Sequence, residues 1–321
     1  MELKEQVFSC LYHAPDTFLS GAQLARELQV SRNAIWKAVA QLRREGCAIE
    51  AVTNRGYRLI AAPELFPAAV QAALRTQTLG RPLHLHNTLA STNQTARELA
   101  IAEAPGGTVV VADRQTAGRG RRGRHFDSPG SEGLYMSVIL RPQNWRGDPG
   151  LLTSCAAVAT ARAIEHICPV TVQIKWVNDL FVSEKKVCGI LTEAGLGLES
   201  GELEYAILGI GINTGVRAFP PELQDIATSL GNVTGTAPSR SMLLAAVLNE
   251  LEPALLHMEN GTFLDESRQR SLLLGKQVTV LSNDGDYTAV ATAIDSHGHL
   301  VVERADGTRQ VLSSGEVSVR V

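Results

Sequence analysis

The spacing of apolar residues divides the chain into three segments. In residues 1–62 apolar residues recur at helical spacing in three successive stretches, for example at Ile35, Val39 and Leu42, which predicts three helices. The stretch "CAIEAVTNRGYRLI" that follows them predicts two short strands around a turn. Three helices followed by a hairpin are typical of a winged helix-turn-helix domain.

Serines mark the starts of the second and third predicted helices, at Ser20 and Ser31. The helix-turn-helix then spans Gly21 to Ala40. Lys and Arg number 8 and acids 6 in residues 1–60, so this part is net +2 in a chain of net −3. A three-helix bundle with a solvated face is the alternative, but the basic wing favours DNA binding. The candidate DNA contacts on the third helix are Arg32, Asn33, Trp36 and Lys37.

The central segment, residues 63–272, mixes helices with strands that follow one another directly. Predicted strands such as "GLYMSVIL", "KVCGILTEA" and "EYAILGIGIN" have few helices between them, which predicts a largely antiparallel sheet and the α+β class. From residue 273 to 321 short strands are separated by turn sequences such as Asn283-Asp284-Gly285. This spacing predicts a small β-barrel of SH3-like size.

The composition is that of an ordinary globular protein, with 44% hydrophobic and 20% charged residues in 321. The five cysteines have no metal-ligand spacing, so we expect them to be reduced and mostly buried, with no structural zinc. The first sixteen residues, "MELKEQVFSCLYHAPD", fit neither a signal peptide nor a membrane span. We therefore expect a cytoplasmic protein that does not associate with membranes.

The sequence "GRGRRGR" at residues 118–124 is the clearest candidate for chemistry. It matches G-x-G-x-x-G, but it leads into a strand and not into a helix, so a dinucleotide-binding turn is excluded by context. A nucleic-acid-binding arm and a solvated surface loop are two other interpretations. The interpretation we favour is a loop that closes on a small anionic ligand with amides and guanidinium groups together.

Two further stretches carry polar side chains suited to a ligand. Ser91-Thr92-Asn93 lies at a predicted helix start, where it either caps the helix or binds an uncharged polar group. The stretch "KWVNDLFVSEKK" ends in Lys186, which is either a solvent-exposed lysine or a partner for a phosphate.

Together these motifs resemble the biotin–protein ligase family, in its bifunctional form that also represses the biotin operon. The resemblance covers nearly the whole chain. It rests on the winged helix, "STN", "GRGRRGR", "KWxND", "KK-x-x-GIL-x-E", "GIGIN", "ATSL" and the small C-terminal barrel, in this order. It implies a central fold similar to class II aminoacyl-tRNA synthetases. It also implies that biotin and ATP with Mg2+ give biotinyl-5′-AMP, whose biotinyl group moves to a lysine of a carrier domain.

The resemblance also implies roles for single residues. Lys186, Arg119 and Arg121 would be catalytic, and Asn178, Asp179, Asn213 and Phe126 would lie near the nucleotide. No residue is assigned to a metal. The residues expected to bind biotin or biotinyl-AMP are Ser91, Thr92, Asn93, Gln115, Arg119, Gly120, Arg121, Trp176 and Lys186.

Partners follow from the same resemblance. They are the biotin carboxyl carrier protein of acetyl-CoA carboxylase, the operator DNA of biotin genes, and a second copy of the chain when biotinyl-5′-AMP is bound. The chain departs from the family at Val177, where proline is usual, and at Phe126, where tryptophan is usual. A lipoate ligase and a catalytically inactive DNA-binding sensor are the alternative functions.

Overall fold

The computed structural model describes residues 2–197, 201–281, 285–313 and 316–319. The predicted turn residues Asn283 and Asp284 lie outside them. The chain divides into two compact units. One comprises Met1–Arg75 and Ser239–Ala245, and the other comprises Thr76–Pro238 and Ala246–Val321.

The first unit contains the predicted helices and hairpin. Ser20 and Ser31 each accept a hydrogen bond from a backbone N–H of the first turn that they cap, as expected. The core is formed by apolar residues of the helices, among them Phe8, Leu24 and Ile35, which are fully buried. The elements are α1 (Leu3–Tyr12), α2 (Gly21–Glu27), α3 (Arg32–Arg44), β1 (Ala48–Val52), β2 (Gly56–Ala61) and α4 (Pro67–Ala73).

The hairpin is fixed to the helices at Gly56. Its φ of +115° suits glycine, and a Cβ there would lie 2.1 Å from the carbonyl oxygen of Leu19. Leu19 and Tyr57 exchange two backbone hydrogen bonds of 2.9 Å beside it. The wing is thereby attached to Leu19, two residues before α2, in keeping with the predicted winged helix-turn-helix.

The second unit is built on a mixed sheet of seven strands among the described residues, in the order β3-β4-β5-β9-β8-β7-β6. β3 and β4 are parallel and the other neighbours are antiparallel, which confirms the predicted α+β class. The strands are β3 (Leu83–Leu89), β4 (Val109–Gln115), β5 (Gly133–Leu140), β6 (Gln173–Lys175), β7 (Asp179–Val182), β8 (Lys185–Leu196) and β9 (Leu203–Asn213).

Helices pack on this sheet and link it to the C-terminal strands. α5 (Thr92–Ile101) buries Ala96 and Ala100 against β4, β5 and β9. α6 (Leu152–Ile167) is buried along most of its length, as its alanine-rich sequence allows. The remaining helices are α7 (Leu230–Thr234), α8 (Arg240–Leu256) and α9 (Thr262–Gln269).

The C-terminal strands form a second, antiparallel sheet around their own core, as predicted for a small barrel domain. Within the described residues the strand order is β13-β12-β11-β10-β14. Val278, Ala291 and Val302 are almost fully buried in this core. The strands are β10 (Gln277–Leu281), β11 (Tyr287–Ile294), β12 (Leu300–Glu303), β13 (Arg309–Leu312) and β14 (Glu316–Val319).

Four of the five free cysteines are buried and Cys10 is half-buried, as expected. Burial raises the pKa of the Cys155 thiol to about 12 and that of the Cys47 thiol to about 11. Both thiols are therefore poor nucleophiles at neutral pH. In the described part of the chain, no helix combines the length and hydropathy needed to cross a membrane.

Candidate active site

A cavity opens on one face of the mixed sheet, between the start of α5, the arginine loop (residues 118–124) and strands β5, β8 and β9. Apolar and glycine residues of the strands form its floor, among them Met136, Gly189 and Gly211. Ten of the residues predicted from the sequence line it: Ser91, Thr92, Asn93, Gln115, Arg119, Gly120, Arg121, Phe126, Asn178 and Lys186.

Ser91, Thr92, Asn93 and Gln115 form the polar end of the cavity, and the buried Ser137 supports them from behind. Ser91 is the N-cap of α5, but its side chain makes no capping hydrogen bond, so of the two alternatives for this stretch the structure does not support helix capping by Ser91. Gln115 takes over at the next residue, because its Oε1 accepts from the backbone N–H and the hydroxyl of Thr92 at 2.8 and 3.1 Å. The Ser91 hydroxyl therefore has no capping role to compete with a ligand.

Asn93 is held by partners that sequence reasoning missed. Its Oδ1 lies 2.6 Å from the donating Ser137 hydroxyl, and its Nδ2 donates to Glu193 at 2.7 Å. Glu193 in turn pairs with Arg97 at 2.5 Å. Glu193 belongs to the "GIL-x-E" motif used above as a family signal, which could have identified it. These bonds fix the side-chain amide of Asn93, which is buried.

The arginine loop is a short hairpin closed at its base. The backbone N–H of Phe126 donates to the Gly118 carbonyl at 3.0 Å, and that of Gly120 donates to the Arg124 carbonyl at 2.8 Å. Arg119 and Arg121 line the cavity, whereas Arg122, with a φ of 55°, is exposed and does not. Two of the four guanidinium groups therefore border the same space as Lys186.

Lys186 is the second residue of β8, and its side chain lines the cavity. Its Nζ lies 2.7 Å from Oδ1 of Asp179, and Nδ2 of Asn178 donates to the same oxygen at 2.9 Å. Oδ1 of Asn178 accepts from Arg121 at 3.2 Å, so this pair of side chains connects the lysine to the arginine loop. The backbone of Lys186 is bonded on both sides to residues 226–228, at the "ATSL" motif.

Phe126 lies over two glycines that face each other across the ladder, Gly189 of β8 and Gly211 of β9. A Cβ at Gly211 would lie 2.7 Å from the Phe126 ring, and one at Gly189 would lie 3.3 Å from it. A side chain at Gly211 would displace the ring, and one at Gly189 would be in tight contact with it. The aromatic residue after the arginine loop and the glycines of "GIL" and "GIGIN" thus form one surface.

Three residues expected at the site lie outside the lining of the cavity. Trp176, expected to form a wall, is 6% exposed in the core of the C-terminal sheet, where its Nε1 donates to the Gly298 carbonyl at 2.8 Å. Asp179 does not line the cavity itself, but it contacts two residues that do, Lys186 and Asn178. Asn213 is buried and donates to the Thr228 carbonyl at 3.1 Å, while its Oδ1 has no hydrogen-bond partner among the described residues.

The candidate DNA-binding face is a separate feature of the first unit. All four predicted contact residues of α3 are exposed, and Trp36 is 60% exposed, which is unusual for such a large aromatic side chain. In the wing, the guanidinium group of Arg55 lies 4.3 Å from the centroid of the Phe18 ring. The predicted contact residues are Arg32, Asn33, Trp36 and Lys37.

Among the described residues, no three His, Cys, Asp or Glu side chains converge in a way that could hold a metal ion. Asp179, a carboxylate beside the cavity, is paired with Lys186. No residue is therefore assigned as a magnesium ligand.

Comparison with known proteins agrees with this geometry. Residues 85–213 match the biotin/lipoate A/B protein ligase family, residues 4–58 match an HTH domain, and residues 273–320 match the biotin protein ligase C-terminal domain. The bifunctional ligase/repressor BirA of Bacillus subtilis (strain 168) is 37% identical over 320 residues, which cover 97% of each chain. The biotin–[acetyl-CoA-carboxylase] ligase of Mycobacterium tuberculosis is 30% identical over 79% of this chain and 96% of its own.

A solved structure shares much of this architecture. The biotin protein ligase of Aquifex aeolicus in complex with biotin and ATP superposes with a TM-score of 0.64 and 32% identity. The match covers 74% of this chain and 98% of that one. The fold, the cavity and the three matched regions define a protein ligase of the biotin/lipoate type with an N-terminal helix-turn-helix domain.

The full-length relative narrows this class. The chain belongs to the biotin–protein ligase family, in the group of bifunctional ligase/repressors. It is a ligase that uses biotin and ATP with Mg2+, and its helix-turn-helix domain is of the repressor type.

Proposed function

We propose that the cavity activates the carboxylate of biotin with ATP to form biotinyl-5′-AMP and pyrophosphate, and then passes the biotinyl group to a lysine of a carrier protein. The observation that carries this proposal is the convergence of Lys186, Arg119 and Arg121 on a cavity whose opposite end is neutral and polar. The cations suit the two anionic reactants, and the neutral end suits an uncharged ring.

The cations act on charge repulsion. Two unit charges about 4 Å apart repel by roughly 4 kcal/mol at an effective dielectric constant near 20. Such a repulsion opposes the approach of a carboxylate to the α-phosphate of ATP. Lys186, Arg119 and Arg121 offset it and stabilise the negative charge that grows on the departing pyrophosphate. The arginine loop also keeps water from the mixed anhydride.

The neutral end of the cavity binds the ureido ring of biotin. Ser91 offers a hydroxyl that is not used as a helix cap, and Thr92, Asn93 and Gln115 are held in fixed orientations. A ligand meets donors and acceptors already in place, so it loses little free energy to ordering them. Trp176 contributes from behind the site by anchoring the strand before Asn178.

The nucleotide lies beside Phe126. This ring offers a face for packing against adenine, and Asn178 and Asp179 position Lys186 for the α-phosphate. Asn213, at the end of β9 and outside the lining of the cavity, has a buried Oδ1 with no hydrogen-bond partner among the described residues; we place this residue near the nucleotide without assigning it a contact.

The three segments divide the work. Residues 1–62 bind the operator of biotin genes through Arg32, Asn33, Trp36 and Lys37 on α3, residues 63–272 form the catalytic domain, and residues 273–321 form the small C-terminal barrel. Biotinyl-5′-AMP acts as corepressor, because a ligand that orders loops beside an interface lowers the cost of forming a homodimer on a two-fold operator.

The carrier that receives biotin is the carboxyl carrier protein of acetyl-CoA carboxylase, in line with the name of the Mycobacterium tuberculosis relative. Both this carrier and the operator DNA would be reached in the cytoplasm, where we place the protein.

The first experiment is the exchange of labelled pyrophosphate into ATP, with biotin and lipoate as parallel substrates. Exchange with biotin alone supports the proposed reaction and makes operator binding the next test. Exchange with lipoate alone would assign the site to lipoate. Exchange with neither acid would leave DNA binding as the main activity and the arginine loop as a sensor.

A further inference from the structure

Arg217 is a buried arginine that connects two loops beside the cavity without lining it. Its side chain is only 5% exposed. One guanidinium nitrogen lies 2.8 Å from Asp127 and 3.5 Å from Glu132, and the group stacks 4.0 Å from the centroid of the Phe219 ring. Its Nε is buried with no hydrogen-bond partner among the described residues. The positive charge of the guanidinium group is therefore balanced by the carboxylates of Asp127 and Glu132.

The backbone of Arg217 is fixed by α7. Its N–H donates to Oδ1 of Asn232 at 2.9 Å, and its carbonyl accepts from Nδ2 of the same residue at 2.8 Å. The preceding turn is also held, because the N–H groups of Thr214 and Gly215 both donate to the Glu132 carbonyl. The guanidinium group therefore projects from a well-anchored segment.

Asp127, the closer partner, is the residue directly after Phe126. The N–H of Phe126 closes the base of the arginine loop on the Gly118 carbonyl. The ion pair between Arg217 and Asp127 therefore helps to fix the position of the adjacent Phe126 ring and of one end of the arginine loop. Glu132 lies five residues further on, at the start of β5, and has no such connection to the ring.

We propose that Arg217 is a positioning residue of the ligase, which acts through Asp127 to hold Phe126 and the base of the arginine loop against the cavity. The inference rests on the proposed function only in taking Phe126 to lie on the nucleotide side. If Arg217 had only a general structural role, its loss would raise the KM for biotin and the KM for ATP alike. If it positions Phe126, its loss should raise mainly the KM for ATP.

The two carboxylates provide a matched pair of variants. Asp127→Asn and Glu132→Gln each remove one charge facing Arg217 and leave the other in place, so both proteins keep a partner for the buried cation. We expect Asp127→Asn to raise the KM for ATP roughly fivefold in pyrophosphate exchange, with less than about a twofold change in the KM for biotin. Glu132→Gln should change either KM by less than about twofold.

A double-variant cycle tests the route of the effect. Arg217→Met keeps a side chain on Phe219 but removes the charge, so adding Asp127→Asn to it should raise the KM for ATP little further. Should Arg217→Met fail to fold, the comparison of the two carboxylate variants still decides the question.

Two results would overturn the inference: an equal rise of both KM values in Asp127→Asn, or an ATP effect of Glu132→Gln as large as that of Asp127→Asn. Failure of the proposed function would look different. In that case the unsubstituted protein itself would show no biotin-dependent exchange.

Discussion

The two ends of the cavity are built in opposite ways. At the polar end, Thr92 and Asn93 are buried and hydrogen-bonded to side chains of neighbouring strands. At the other end, the arginine loop is a hairpin held mainly by backbone bonds at its base, and Arg119 is exposed. One end is rigid before any ligand arrives. The other end concentrates positive charge on a short loop beside it.

This difference suits a reaction in which the enzyme must bind one uncharged ring and one charged phosphate group. A neutral ring is distinguished by hydrogen bonds in fixed directions, which need a supported set of partners. Phosphate charge is less directional, so a loop of glycine and arginine can meet it with several donors at once. The first three predictions below each test one side of this division, and the fourth provides a baseline away from the cavity.

Lys186 should give the largest effect. Lys186→Ala removes the cation that borders the cavity together with Arg119 and Arg121, so we expect biotin-dependent pyrophosphate exchange to fall about 100- to 1,000-fold. Lys185→Ala is the matched control, since the neighbouring Nζ donates to the Gln224 carbonyl at 2.6 Å and does not line the cavity. Equal losses in the two variants would contradict the assigned role.

Arg121→Gly should release the intermediate without abolishing its formation. Loss of one charge-assisted contact, worth about 1.5–3 kcal/mol, is expected to speed release of the adenylate by roughly 10- to 100-fold. The measurement is biotin labelling of bulk protein lysines that are not carrier targets. Arg122→Gly serves as the control, because Arg122 is exposed outside the cavity at a φ of 55° that glycine adopts easily. Labelling no stronger than that of the unsubstituted protein would count against the loop as a lid.

Ser137→Ala tests the polar end. The buried hydroxyl supports Thr92 and Asn93, so its loss should raise the KM for biotin about tenfold, lower the unfolding free energy by about 1–3 kcal/mol, and leave the KM for ATP nearly unchanged. Thr160→Val is the control: its hydroxyl is buried with no partner among the described residues, so its removal should be neutral or stabilising. If Ser137→Ala left the KM for biotin unchanged, the polar end of the cavity would not be the part that binds the ureido ring.

A smaller effect is expected from acid, away from the cavity. Burial favours protonation of Glu165 and Glu266, but hydrogen bonds from Arg270 to both, and from Arg162 to Glu266, outweigh it and lower both pKa values below the ordinary 4.5. A lowered folded-state pKa means that this stability is present above the unfolded pKa and is lost as the pH falls through the folded value. Unfolding between pH 6 and pH 3 should show this loss below about pH 4.5.

Arg270→Met provides the comparison for the acid experiment. We expect it to lower the unfolding free energy at pH 7 by about 1–3 kcal/mol and to flatten the acid-dependent loss. Both KM values should stay unchanged, which gives a baseline for the effects inside the cavity. An acid profile as steep as that of the unsubstituted protein would remove this network as the cause.

Local signals in the sequence were sufficient for much of the fold. The caps Ser20 and Ser31 and the turn at Gly56 act within a few residues, so the winged helix-turn-helix could be predicted from them. The strands of the mixed sheet were found in the same way. β3 was not predicted, although the alternation of leucine and histidine in "LHLHNTL" is the pattern of a half-buried strand.

Sequence reasoning falls short where a distant partner decides. Trp176 was expected to form a wall of the site, but its indole donates a hydrogen bond to the carbonyl of Gly298, 122 residues away, and lies outside the lining of the cavity. Capping by Ser91 was one of two alternatives, and the start of α5 is instead hydrogen-bonded to Gln115 at the end of β4. Ser137 and Arg217 carry no motif of their own, and only the register of β5 with β9 and the position of α7 reveal their contacts.

The facing glycines Gly189 and Gly211 have a consequence for how the protein can evolve. Any side chain at either position would meet the Phe126 ring, so the three positions are constrained as one unit of substitution. A larger ring at 126 is compatible with an unchanged glycine pair, whereas a methyl group on the floor would require the ring to shrink first. Related chains are therefore expected to vary the ring more readily than the two glycines beneath it.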